Sequence, residues 1–164
     1  RGNTLQEACE NYLNNKPIGE LQPNEAMLFH NMKRGVDRID NVRALEAPLW
    51  SHNLRLAGRV DCVAEFDGKL SIIDFKGSTR KKNPTKITNY FCQATAYSIM
   101  WHEMMGESID QIVILISSED GANQIFVKHP LEFVPELKRV IDVYYKANPK
   151  HLLTTDESSQ TLFG

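Results

Sequence analysis

The chain has 164 residues, 41% of them apolar and 24% charged, which suits a single globular domain with a real core across residues 1–164. A net charge of −2 argues against a protein that coats nucleic acid by bulk charge, so any nucleic-acid contact must come from a local basic cluster. No apolar run reaches the roughly 18 residues that suggest a membrane-spanning helix, and Cys9, Cys62 and Cys92 form no CxxC pair, which argues against zinc or an iron–sulfur cluster.

In chain order, residues 2–14 predict a helix with Leu5, Cys9, Tyr12 and Leu13 on one stripe, broken by Asn14-Asn15-Lys16-Pro17-Ile18-Gly19. The opening Arg1-Gly2-Asn3-Thr4-Leu5 has neither a methionine nor a signal pattern, so upstream residues are expected to be missing. A second helix is expected over 23–40, opened by Pro23 and with Met27, Leu28, Met32, Val36 and Ile39 on its apolar face. Residues 42–50 predict a strand ending near Pro48. Strands over 55–66 and 69–76 follow, joined by Asp67-Gly68, a strong signal for a two-residue hairpin turn. A long helix over 87–105, strands at 111–117 and 123–128, and a helix from Pro130 to about Lys146 complete the order, with a polar tail from Asn148. The pattern predicts a mixed α/β domain with a central sheet. The three cysteines are expected to be buried free thiols in a reducing, intracellular compartment.

The hairpin register carries the chemistry. If Asp67-Gly68 is the whole turn, Phe66 faces Lys69, Val63 faces Ile72, Asp61 faces Asp74 and Arg59 faces Lys76. Side chains alternate along a strand, so Arg59, Asp61, Asp74 and Lys76 share one face and Val60, Cys62, Ile73 and Phe75 the other. Carboxylates directly opposite have Cβ atoms roughly 4.5–5.5 Å apart and repel. A divalent cation with oxygen ligands, Mg²⁺ or Mn²⁺, relieves that repulsion, as does a proton. Lys76 beside such an ion can hold a water or a phosphate oxygen and stabilise charge developing on phosphorus. The same residues also fit a structural cluster in which Asp61 or Asp74 pairs with Arg59 or Lys76, and the register alone leaves both readings open.

The motifs around the hairpin resemble a known family. Gly58-Arg59-Val60-Asp61, a short hairpin and Ile73-Asp74-Phe75-Lys76 are similar to the RecB-type branch of the PD-(D/E)XK nucleases, a group that includes mitochondrial genome maintenance exonucleases and phage relatives. Gln93-Ala94-Thr95-Ala96-Tyr97 matches that branch's QxxxY motif, and Arg1 to Glu10 resembles its first helix, usually RGxxxHxxxE. The likeness spans roughly residues 1–117. It implies a restriction-endonuclease-like α/β fold, a mixed central sheet flanked by helices, and hydrolysis of DNA phosphodiesters by a metal-activated water. By the same resemblance Asp61 and Asp74 bind one or two Mg²⁺ or Mn²⁺ ions together with the Phe75 carbonyl, Lys76 is the catalytic lysine, and Gln93 and Tyr97 position the DNA. The implied substrate is single-stranded DNA entered from an end, and the implied setting is the cytoplasm, a phage-infected cell or the mitochondrial matrix. A module of the same fold that binds nucleic acid without cutting it is the alternative.

Two positions depart from the family pattern. Gln6 stands where the branch has a metal-ligating histidine, and an amide oxygen is a poorer ligand for transition ions though tolerable for Mg²⁺. Gly77 stands where a threonine usually follows the lysine; it either admits a phosphate near the backbone or ends the strand. Arg80, Lys81, Lys82 and Lys86 follow the lysine strand directly and suit a phosphate-gripping loop or a solvated one. Glu46 and Glu10 are further acidic candidates, each with a plain solvent-facing or packing alternative. Tyr90, Phe91 and Trp101 offer rings for stacking on bases, but helical spacing favours core packing.

Overall fold

A computed structural model describes residues 4–149 and 153–154. Helix α1 (Thr4–Leu13) and α2 (Pro23–Val36) come first, followed by strands β1 (Ile39–Ser51), β2 (Leu56–Phe66) and β3 (Lys69–Ser78). A short 3-10 turn (Pro84–Lys86) leads into α3 (Thr88–Met105). Strands β4 (Gln111–Ser118) and β5 (Asn123–Lys128) follow, then a 3-10 turn (Pro130–Phe133), α4 (Val134–Ala147) and a short β6 (Leu153–Thr154).

The sheet order is β1-β2-β3-β4-β5, with β6 beside β2. Neighbours are antiparallel except β3–β4 and β2–β6. Parallel pairing of β3 and β4 demands a long crossover, and α3 supplies it. Strand β4 is buried at all eight positions because helices cover both faces of the sheet. On one face Val63, Ile72, Ile112 and Ile114 pack against Ala94, Met100 and Trp101 of α3 and Leu137 of α4. On the other, Cys62, Ile73, Phe75 and Leu115 pack against Leu5, Leu28 and Met32 of the first two helices. Gly35 is required by this second layer: a Cβ there would lie 3.0 Å from a Leu115 methyl.

The hairpin has the expected turn. Asp67 and Gly68 both have positive φ, +53° and +81°, as the tight mirror-image turn requires, and Phe66 pairs with Lys69. All three cysteines are buried free thiols, and no described helix is long and apolar enough to cross a membrane.

Several element boundaries differ from the sequence expectation. The second helix stops at Val36, and β1 already begins at Ile39 and runs past Pro48 to Ser51. Pro48 is tolerated because β1 is an edge strand, which leaves one side of its backbone free of ladder bonds. The strand carrying Lys76 does not end at Gly77; it continues to Ser78 by pairing with Ser118 of β4. Strand β6 falls within the stretch whose composition predicts a polar tail. Residues 150–152 and 155–164 lie outside the described residues, as do Arg1 to Asn3 of the first-helix motif.

Candidate active site

Strands β2 and β3 part company where the acidic residues begin. Their pairing runs from Phe66↔Lys69 to Cys62↔Ile73 and stops, while β3 continues along β4. Farther back along β2, Leu56 and Ala57 pair with β6 instead. The sheet therefore forks at Asp61, and the candidate site lies in the fork.

The expected facing pairs hold up to that point and fail beyond it. Asp61 does not sit in a ladder pair with Asp74; its carboxylate reaches across the opening gap, where Oδ2 accepts a hydrogen bond from the Phe75 backbone N–H at 2.9 Å. The side chain takes the place of a strand partner for Phe75, which satisfies a buried donor and fixes the carboxylate. Arg59 likewise does not face Lys76. It pairs with Pro48 of β1, and its guanidinium donates to the Glu46 carbonyl at 3.1 Å and lies 3.3 Å from Glu46 Oε1. Val60 packs in the α3-side core rather than with Cys62, because the alternation of faces breaks at Asp61. The irregularity coincides with one on β1: Leu45↔Cys62 and Ala47↔Val60 leave Glu46 across from Asp61, and Glu46 has a φ of +45°, outside the pleated range.

Within the fork, Asp74 is only 7% exposed. Its Oδ2 is out of reach of solvent and is ion-paired with the Lys76 ammonium at 3.1 Å. Burial pushes the Asp61 carboxyl well above the ordinary carboxylate range, with the Asp74 charge adding to the shift, while Lys76 and the Phe75 N–H pull the other way. Asp74, and then Asp61, raise the Lys76 ammonium above its ordinary pKa despite its burial. Lys76 also lies 4.9 Å from the centre of the Tyr90 ring on α3, so helix and strand meet at the lysine.

Helix α1 closes the site from the other layer. Gln6 Nε2 donates to Asp61 Oδ1 at 2.8 Å and to Glu10 Oε2 at 3.1 Å. Glu10, one helical turn on and 9% exposed, is raised to about 7, first by burial and next by hydrogen bonding with Glu46. Glu10 and Glu46 thus join the acidic side of the fork through Gln6. Among the described residues, no three His, Cys, Asp or Glu side chains converge as a ready metal cage. The donor set is instead two crowded carboxylates, one of them ion-paired with Lys76, beside backbone and amide groups. That set suits a hard cation such as Mg²⁺, which keeps much of its water and takes one or two carboxylates.

A family model for the PD-(D/E)XK nuclease superfamily matches residues 7–154. The chain belongs to that superfamily. Two relatives carry the name mitochondrial genome maintenance exonuclease 1. The human protein is 35% identical over 95 residues, 53% of this chain and 24% of that protein. The mouse protein is 31% identical over 101 residues, 55% of this chain and 30% of that protein. The chain thus matches less than a third of the length of either.

The forked sheet, flanked by helices on both faces, is the restriction-endonuclease-like fold of this superfamily. Of the QxxxY pair, Tyr97 is buried in the α3-side core and Gln93 is half-buried. Tyr90, Gln93 and Tyr97 are three and four apart, so they share the helix face that begins at Lys76. The rings offered for stacking on bases resolve as the helical spacing favoured. Phe91 stacks on Phe133, and buried Trp101 donates its indole N–H to Glu107. Arg80, Lys81 and Lys86 are exposed and Lys82 half-buried; no ion pair among the described residues uses any of them. A Cβ on Gly77 would meet only a Leu5 methyl at 3.4 Å, an ordinary contact, so neither crowding nor a positive φ demands glycine there. Two features had no sequence signal: the positive φ of Glu46, and the contact between Tyr90 and Lys76.

Proposed function

We propose that this chain is a metal-dependent DNA exonuclease that hydrolyses phosphodiester bonds at single-stranded ends. The observation that carries the reading is the fork itself: Asp61 and Asp74 crowd together, and the Lys76 ammonium, 3.1 Å from the solvent-shielded Asp74 Oδ2, is the one cation beside them among the described residues. A structural cluster would pair each carboxylate with its own cation, and here two acids share one lysine. Asp61, Asp74 and the Phe75 carbonyl would hold one or two Mg²⁺ or Mn²⁺ ions, with Gln6 as a further oxygen ligand once its amide turns over. When bound, the cation supplies a water of lowered pKa and neutralises phosphate charge. Lys76 supplies a fixed positive charge at the phosphoryl oxygens as they gain charge in the transition state. Asp61 is tied to the Phe75 N–H, which leaves Asp74 as the ion-pair partner of the lysine. Gln93 and Tyr97 position the strand, and Arg80, Lys81, Lys82 and Lys86 grip phosphates. The names of the human and mouse relatives support an exonuclease, an enzyme that enters its substrate from an end.

Gln6 favours a second reading, a module that binds nucleic acid without cutting. In the structure its amide nitrogen, not its oxygen, meets Asp61, and so occupies a carboxylate oxygen that a cation would need. One assay separates the readings: end-labelled single-stranded DNA and a circular single strand, each with Mg²⁺, with Mn²⁺ and with chelator. Metal-dependent release of nucleotides from the linear strand alone supports the exonuclease. Cutting of the circle indicates an endonuclease. Binding of both strands without cutting establishes the module.

A further inference from the structure

The basic residues after Lys76 are held by a set of hydrogen bonds from the neighbouring strands and turn. Gln124 of β5 grips Lys82 at two points: its Oε1 accepts from Lys82 N at 2.8 Å and its Nε2 donates to Lys82 O at 2.8 Å. Asp120, in the β4–β5 turn, accepts from Lys81 N at 2.9 Å while also accepting from Ala122 N at 3.0 Å. Ser78 and Ser118 both donate to the Arg80 carbonyl, at 2.6 and 3.1 Å. Three consecutive residues of a loop are thus pinned through their backbones. Their charged groups are left over: no ion pair among the described residues involves Arg80, Lys81 or Lys82.

We infer that Gln124, with Asp120 and Ser118, positions Arg80, Lys81 and Lys82 as a preset phosphate-binding shelf for a single strand of DNA entering the fork. The inference rests on the proposed nuclease reading and adds to it which residues set strand affinity. The physical reason is entropic. An unpinned basic loop loses backbone freedom when it grips a strand, and that loss weakens binding. Pinning three backbones in advance removes the penalty and leaves only the side chains to order. The place is right as well. Arg80 is four residues past Lys76, a reach of at most about 14 Å. The loop then returns to the site through the 3-10 turn and α3, where Tyr90 meets Lys76. Because the pins hydrogen-bond to backbone groups, they leave the three cationic side chains without an ion pair among the described residues.

The test keeps all charges and removes the pins. Gln124→Met preserves length and volume but makes neither bond to Lys82, and Ser118→Ala removes one bond to Arg80. These variants, their double, and Lys81→Ala with Lys82→Ala as the charge control are compared with the unaltered chain. The readouts are kcat, KM and thermal stability, and equilibrium binding of a fluorescent single-stranded oligonucleotide in chelator over a range of salt. The expected result for Gln124→Met is binding weakened about 3–10-fold, with KM raised in parallel and kcat within about twofold. The slope of log K against log salt should be unchanged in Gln124→Met, which keeps every charge, and should fall by about 0.7 for each phosphate that the charge control no longer neutralises. Binding unchanged in the unpinned variants, or slope unchanged in the charge control, would overturn the shelf while leaving the nuclease reading in place. A loss of kcat and stability in Gln124→Met without weaker binding would make Gln124 merely structural and also overturn it. If the unaltered chain neither binds nor cuts the strand, the nuclease reading fails and the shelf fails with it.

Discussion

The two ends of the β2–β3 hairpin treat an aspartate in opposite ways. At the turn end, Asp67 faces solvent and receives a two-point bond from Arg38, Nε to Oδ1 at 3.0 Å and Nη2 to Oδ2 at 2.5 Å. The guanidinium holds that carboxyl below its ordinary range. At the fork end, Asp61 and Asp74 are enclosed, share a single lysine, and Asp61 is driven upward. Each arrangement answers a different demand. A carboxylate that only helps to close a turn takes its own cation. Two carboxylates pressed together are tolerated where a further positive charge is to be received. The contrast, drawn without reference to any relative, is what the proposed role of Asp61 and Asp74 rests on.

The sharpest way to break this contrast is to remove one charge from the fork. Asp74→Asn and Lys76→Met should each lower metal-dependent cutting by at least about 10²-fold, the scale seen when one charge-stabilising group is lost from a transition state. Their effects on folding should run in opposite directions. Asp74→Asn relieves repulsion and should raise the melting temperature of the metal-free protein. Lys76→Met removes the cation that the two acids share and should lower it. A melting temperature that falls in both would mean that the fork is an ordinary ion-pair cluster.

Next in size is Gln6→His. Imidazole restores a strong ligand for a transition ion and removes the amide donor from Asp61 Oδ1. Mn²⁺ affinity, read by calorimetry without any DNA, should rise about tenfold, on the scale of changes close around a metal. No change in affinity would mean that this position of α1 does not reach the cation.

What the sequence made legible follows from how local each feature is. Asp67-Gly68 specified a two-residue turn, and that turn set the register from Phe66↔Lys69 to Cys62↔Ile73. Alternation then placed Asp74 and Lys76 correctly, because β3 stays regular through its pairing with β4. The register argument failed at Asp61 because the strands diverge there, and no residue in the hairpin announces it. Across from Asp61 on β1 sits Glu46, about twenty residues before the turn and in a backbone conformation that a glutamate rarely adopts. Arg59, beyond the divergence, departs from its expected partner as well. The pins on Arg80 to Lys82 were equally invisible, since Gln124 and Asp120 act across the sheet from another hairpin. The motif residues identified the family; the irregularities that open the site come from tertiary contacts.

A third measurement reads the fork through pH. Glu10 is raised from 4.5 to about 7, so the folded chain holds a proton there that the unfolded chain has already lost. Stability contributed by that proton is full below about pH 4.5 and declines as pH rises toward 7. Glu10→Gln should therefore raise the melting temperature at pH 8 and flatten its dependence on pH across this window. Mg²⁺ should stabilise the unaltered protein more at pH 8 than at pH 5, because the acids that receive it are then charged. A melting temperature that rises with pH between 5 and 7 in the unaltered chain, and does so less in Glu10→Gln, would reverse the assignment.

The smallest effect should come from the turn end, and it has the opposite sign. Asp67 is held below its ordinary pKa by Arg38, so its contribution is present at neutral pH and is lost on acidification. Both partners are well exposed, and water screens most of that attraction. Asp67→Asn keeps a residue that tolerates the positive φ of +53° while removing the charge. The melting temperature at pH 7 should shift by about 2 °C or less, with cutting and Mg²⁺ binding unchanged. As pH falls through the lowered native pKa of Asp67 the variant and the unaltered chain should converge, since the native carboxyl then also lacks its charge. A loss of cutting in Asp67→Asn would show that the hairpin turn transmits to the fork, and the two ends of the hairpin would no longer be independent.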